Sequence, residues 1–165
     1  MTYAYIGLGA NIGRPMRQMC TALRLLRFLP ATRLSAVSPL YLSAPVGCVG
    51  SQPTYCNAVA ELQTRQSPRF LHKRLRRLEK SVQRRRRRKN APRFLDVDYL
   101  LHGTARLSSP DLTLPHPRIE KRAFVLRPLA DIVGSDFLPD NGRIPNGGRL
   151  KAALFKNRGQ FLRSV

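Results

Sequence analysis

Asp96 and Asp98 stand two residues apart in the apolar run "FLDVDYLL", just after the basic stretch "RRRRRKNAPR". On a strand, residues i and i+2 project to one face, so the two carboxylates point together and Val97 points away. Adjacent carboxylates repel each other unless a cation or a proton intervenes. Mg²⁺ takes oxygen ligands, holds one or two carboxylates, and completes its shell with water and substrate phosphates. Five consecutive arginines (84–88), Lys89 and Arg93 lie immediately upstream. Arginine offers planar, paired donors to phosphate oxygens. A metal together with several guanidinium groups suits a polyphosphate, because phosphoryl transfer is catalysed mainly by positioning and charge neutralisation. The plainer alternative is that both aspartates pair with nearby arginines.

Other phosphate-binding devices are missing. The chain has no GxxxxGK[ST] loop, and "GLGANIG" is not the dinucleotide fingerprint. Tyr55, Phe124, His116 and Glu79 each have an ordinary reading as a strand aromatic, a core residue, a loop residue and a partner of Arg76. Asn57 is harder to set aside, because an amide among apolar strand residues needs hydrogen-bond partners.

The elements that must position these residues follow from periodicity and breakers. "YAYIGLG" reads as a buried strand, and Pro15 opens a helix whose apolar positions Met19, Leu23, Leu26 and Phe28 to Leu29 run up to Pro30. "RLSAVSPLYL" reads as a second strand near an edge, since Pro39 cannot donate to a ladder. "SAPVGCVGSQPT" is a loop and "YCNAVAELQT" a third strand. Ser67-Pro68 starts a helix with Leu71, Leu75, Leu78 and Val82 on one face. The arginine run is a loop, "FLDVDYLL" a fourth strand and "LPHP" a rigid loop; "RAFVLRPLADI" and "GGRLKAALFK" are short helices. At 165 residues without repeats or a linker the sequence predicts a single domain over residues 1–165, with element order β-α-β-β-α-β and C-terminal additions. Its fold is an α/β (α+β) sandwich of ferredoxin-like type, a mostly antiparallel sheet with helices packed on it.

Composition narrows the partners. The 165 residues carry 30 Lys and Arg against 9 Asp and Glu, a net charge of +21. Between Arg65 and Arg93 there are 14 basic residues and one acid, Glu79. Such a field attracts polyanions. No apolar run is long enough to span a membrane, and the N-terminus lacks the pattern of a signal peptide. Three cysteines without CxxC spacing suit a reduced, cytoplasmic protein.

The segment "KNAPRFLDVDYL" resembles the signature of the 6-hydroxymethyl-7,8-dihydropterin pyrophosphokinases. "YIGLGANIGRP", "YLSAPVG", "QPTYCNAVAEL" and "LTLPHPRIEKRAFVLRPLADI" resemble further blocks of that family, in the same order. The resemblance implies the ferredoxin-like sandwich and transfer of diphosphate from ATP to a pterin alcohol, with release of AMP and with two Mg²⁺ ions. Asp96 and Asp98 would be metal ligands and, with Arg84 and Arg93, catalytic. Glu79, Arg86, Lys89, His116 and Arg122 would serve the nucleotide. Tyr55 and Phe124 would sandwich the pterin ring, Asn57 would read its amide edge, and Ser43 and the backbone near Val46 would complete that readout. The chain departs from the family at Asn90-Ala91, where an aromatic-glycine step is usual, and in its five consecutive arginines.

ATP and the pterin alcohol are the expected partners, and the chain is expected to be monomeric. A nucleic-acid-binding protein, with helix 68–82 and the arginine run as contact face, would explain the charge. It would leave Asp96, Asp98, Asn57 and the "LPHP" loop without a role. A relative with another pterin substrate or without activity is the remaining alternative, kept open by Asn90-Ala91.

Overall fold

The computed structural model describes residues 1–45, 52–82 and 94–134, and the backbone of 162–164. In chain order the elements are β1 (Thr2–Ala10), α1 (Pro15–Arg27), β2 (Thr32–Val37), β3 (Tyr41–Ser43), β4 (Tyr55–Thr64) and α2 (Pro68–Val82). There follow β5 (Asp96–His102), β6 (Leu107–Ser108), β7 (Thr113–Leu114), a 3-10 turn (Ile119–Lys121), α3 (Ala123–Val133) and β8 (Leu162–Ser164). Among the described residues β5-β1-β4-β3-β8 form one sheet, with β2 also on β4, and each of its pairings is antiparallel. This is the ferredoxin-like α+β sandwich the sequence predicts.

Alternation along the strands sorts the core into two layers. Ala4, Ile6, Leu8 and Ala10 of β1, with Cys56, Ala58, Ala60 and Leu62 of β4, face α1 and α2. Tyr5, Val59, Leu100 and Leu101 face α3, which packs on them through Val125, Leu126 and Leu129. Leu71, Leu75 and Leu78 are buried on α2, as their spacing requires. On α1 the buried positions are Met19, Ala22 and Leu26. Phe28, expected to extend that stripe, is instead 74% exposed. Its amide bonds back to the carbonyls of Leu25 and Leu26 and ends the helix, and its side chain falls well away from the Met19–Leu26 face.

The expected strand around Pro39 is two strands. β2 pairs with Ala60–Thr64 and β3 with Tyr55–Asn57, along the same edge of β4. At the break Ser38 keeps contact with β4: its N–H donates to the Val59 carbonyl (2.9 Å) and its Oγ accepts from the Val59 N–H (3.0 Å). β5 begins at Asp96 rather than Phe94. β8, which pairs with β3, has no counterpart in the sequence reading. The helix expected over 147–156 lies outside the described residues.

Candidate active site on the α3 face of the sheet

Register places the chemistry-bearing residues in one row. Asp96 of β5 lies opposite Gly9 of β1, Gly9 opposite Asn57 of β4, and Asn57 opposite Tyr41 of β3. One row along, Asp98 lies opposite Gly7, and Gly7 opposite Val59. Directly opposed residues share a face, and Val59 and Leu100 fix it as the one that α3 covers. The two glycines leave the floor between carboxylates and amide without side chains. A Cβ at Gly9 would stand 3.2 Å from Asn57 Oδ1, and one at Gly7 would stand 3.5 Å from the Asp98 Cβ. Asp96 and Asn57 are two strands apart, so about 10 Å separates them across the sheet.

Each end of the trough is held. Asn57 is buried, and its Nδ2 donates to Ser43 Oγ at 2.9 Å. That bond fixes the amide and leaves Oδ1 on the Gly9 side. Tyr41 is structural: its hydroxyl donates to Asp131 Oδ2 and ties β3 to α3. At the carboxylate end, Arg122 donates from Nη1 to Asp98 Oδ2, and its guanidinium carbon lies 5.5 Å from the Phe124 ring centroid. The pairing of an aspartate with an arginine, the plainer reading of Asp98, is therefore present.

His116 reaches the same carboxylate, with Nε2 3.9 Å from Asp98 Oδ1. Its Nδ1 accepts the backbone N–H of Arg118 at 3.2 Å, so the neutral ring carries its proton on Nε2, toward Asp98. Burial holds the His116 pKa below the ordinary 6.5, against the pull of Asp98 and with the help of Arg122 and Arg118. Burial also lowers His72 and His102. All three shifts act alike on stability. Below 6.5 the unfolded chain binds protons that the folded chain refuses, so stability is full above that value and is lost as pH falls beneath it. Melting temperatures at pH 7.5 and pH 5.5 check this; the expected result is a lower value at pH 5.5.

A model of the 7,8-dihydro-6-hydroxymethylpterin-pyrophosphokinase family matches residues 5–134. The chain belongs to that family. A 2-amino-4-hydroxy-6-hydroxymethyldihydropteridine pyrophosphokinase of Pseudomonas aeruginosa is 43% identical over 141 residues, covering 86% of this chain and 86% of that protein. The Haemophilus influenzae enzyme of the same name is 39% identical over 141 residues, covering 86% of this chain and 88% of its own. The fold is similar to that in a crystal structure of an HPPK-DHPS in complex with substrates, with a TM-score of 0.66 at 10% identity. That likeness covers 94% of this chain but 44% of the other, longer one, and bears on the fold alone.

Of the residues expected to serve this pyrophosphokinase, Asp96, Asp98, Asn57, Ser43, His116 and Arg122 lie on or beside the trough. Phe124 flanks it at the start of α3, packed against the second core layer. Tyr55 is half-buried at the end of β4 and donates to Gln52 Oε1 at 3.2 Å. Val46, Arg84, Arg86, Lys89 and Arg93 lie outside the described residues.

Glu79 sits on the other side of the sheet. It is buried under α2, where Oε1 accepts the Val97 N–H at 3.3 Å and Oε2 accepts from Arg76 Nη1 at 2.9 Å. Among the described residues β5 is an edge strand, so its outward amides need acceptors, and Glu79 supplies one between the two aspartates. Glu79→Ala is expected to destabilise the fold by about 1–3 kcal/mol, the cost of an orphaned buried donor, read as a lower denaturant midpoint.

Sequence reading passed over Gly7 and Gly9, although paired glycines inside an apolar strand are a signal of close approach. It also passed over Asn11, a buried side chain whose Nδ2 donates to Gln52 Oε1 (3.2 Å) and the Pro53 carbonyl (3.3 Å) beside Tyr55.

Proposed function

We propose that the chain transfers the β,γ-diphosphate of ATP to the hydroxymethyl oxygen of 6-hydroxymethyl-7,8-dihydropterin in a Mg²⁺-dependent reaction that releases AMP. The observation that carries this reading is the Asp96–Gly9–Asn57 row, which sets a carboxylate and a fixed amide about 10 Å apart over a floor with no side chains, with the second carboxylate, Asp98, one row along beside Gly7.

Asn57 would read the pterin: Oδ1 accepts a ring N–H, and Ser43 keeps the amide from turning. Tyr55 and Phe124 would bound the ring on either side. Two carboxylates on one face match the kind and number of donors that Mg²⁺ takes from a protein, so Asp96 and Asp98 would hold it. When bound, the metal would neutralise phosphate charge and ease departure of AMP. Arg122 already neutralises Asp98, and phosphate oxygens would share or take over its donors. His116 is suited to donate from Nε2 to a phosphate oxygen rather than to act as a base. Arg84, Arg86, Lys89 and Arg93 would add positive charge, and the pterin hydroxyl proton would leave to solvent as the new P–O bond forms.

The reading includes a single cytoplasmic domain acting as a monomer. Cys20 and Cys56 are both free thiols, and no helix among the described residues is long and apolar enough to cross a membrane. The decisive assay mixes protein, ATP, Mg²⁺ and 6-hydroxymethyl-7,8-dihydropterin and measures AMP by chromatography. Folded protein that yields none would end the proposal.

A further inference from the structure

A chain of side-chain bonds closes the trough beyond Asn57. β1 pairs with β4 as far as Ala10 and Cys56. Continued by one residue, that register sets Asn11 across from Tyr55, on the face that carries Gly9 and Asn57. Gln52, on the approach to β4, bridges the two: its Oε1 accepts from Asn11 Nδ2 at 3.2 Å and from the Tyr55 hydroxyl at 3.2 Å. The sense of these bonds is fixed from the backbone outward. The Pro53 carbonyl can only accept, so it holds Asn11 with Nδ2 toward it, at 3.3 Å. That Nδ2 also needs an acceptor from Gln52, which turns Oε1 rather than Nε2 inward. An amide oxygen can only accept, so the Tyr55 hydroxyl donates to it. Asn11 is 2% exposed, and turning its amide over would set a buried oxygen against the Pro53 carbonyl.

We propose that Asn11 and Gln52 are positioning residues: through the Tyr55 hydroxyl they fix the plane of the ring against which the pterin stacks. The inference rests on the pterin pyrophosphokinase reading above. Tyr55 is only half-buried, at the very start of β4. The second side-chain torsion of a tyrosine has a broad minimum, so packing on one side alone would let the ring swing. Stacking depends on ring geometry and weakens as the plane turns. A bond at the far end of the ring removes that freedom before the pterin arrives, so the loss of freedom does not fall on the binding step. It also gives the hydroxyl a use, since a phenylalanine ring would offer the same face to the pterin.

The test is a titration of 6-hydroxymethyl-7,8-dihydropterin, followed by its fluorescence, against the full chain with Mg²⁺ and a non-hydrolysable ATP analogue present. Tyr55→Phe keeps the ring and removes the anchor, and should weaken pterin binding about three- to tenfold. Gln52→Leu and Asn11→Ala should weaken it by a similar factor. Each variant should bind the nucleotide analogue like the parent, which shows that it is folded. Gln52→Glu keeps an acceptor for both donors and should retain most of the affinity. Gln52→Leu combined with Tyr55→Phe should lose no more than either alone, because both break the same link. Losses that multiply would overturn the inference, as would Gln52→Leu weakening pterin and nucleotide analogue alike, the mark of a merely structural role. A parent that forms AMP while Tyr55→Phe binds the pterin unchanged would end this inference alone. A parent that neither forms AMP nor binds the pterin would end the functional reading and this inference with it.

Discussion

Asp98→Asn is expected to lower the rate of AMP formation about a thousandfold, some 4 kcal/mol of transition-state stabilisation. The exchange keeps volume and planarity and removes one negative charge. In the parent chain that charge holds the Arg122 guanidinium and stands 3.9 Å from His116 Nε2, while Gly7 keeps the floor beside it open. An asparagine can still accept from Arg122, so the fold should persist. It cannot attract a divalent cation as a carboxylate does. The variant should therefore need far more Mg²⁺ to reach half of its residual rate. A second readout does not depend on turnover: Mg²⁺ with a non-hydrolysable ATP analogue should raise the melting temperature of the parent and raise that of the variant much less. Asp96→Asn should act in the same direction, and the double variant should lose less than the product of the two, because the pair works as a unit. A variant that kept a tenth of the parent rate at ordinary Mg²⁺ would show that Asp98 does not hold the metal.

The contrast between what the sequence carried and what it did not is physical. Asp96 and Asp98 were legible because strand alternation has a period of two, so their shared face followed from spacing alone. The stripe Leu71, Leu75, Leu78 was legible for the same reason at the helical period. Glu79 was different. Its spacing placed it near Arg76, and that pair is present, but its second bond, to the Val97 amide, depends on β5 being an edge strand that α2 crosses. Pairing order is set by long-range register, which no local pattern reports. The split of the second strand was half legible: Pro39 signalled a break in the ladder, but not that the chain resumes on the same edge of β4. Tyr41 shows the same limit, since its partner Asp131 is 90 residues away.

Gly9→Ala gives the second large effect, and its pattern separates a functional glycine from a structural one. The backbone at Gly9 is not in the left-handed region, so alanine can adopt it without backbone strain, and the backbone term alone would favour the folded state by about 0.4–1 kcal/mol, against which the tight contact at Asn57 acts. Space is the difficulty. The new Cβ would lie 3.2 Å from Asn57 Oδ1, and Asn57 cannot readily yield, because it is 4% exposed and bonded to Ser43. The amide oxygen must shift or turn from the face where a pterin would lie, and misplacement of a recognition group by a fraction of an ångström to an ångström costs up to about a hundredfold. That loss should appear in the affinity for the pterin, measured by titration with Mg²⁺ and a non-hydrolysable ATP analogue present, while affinity for the nucleotide analogue alone is kept. Gly7→Ala is the matched control. Its Cβ would make ordinary contacts at 3.5 Å with Asp98 and Leu100, so pterin affinity should change little. If Gly9→Ala bound the pterin like the parent, Asn57 would not be the group that reads it. If both alanines weakened it equally, the whole floor rather than the Gly9–Asn57 contact would set the fit. Loss of pterin affinity at Gly9 alone, in a protein that still binds the nucleotide analogue like the parent, is not loss of folded protein and assigns the pterin to the Asn57 end of the row.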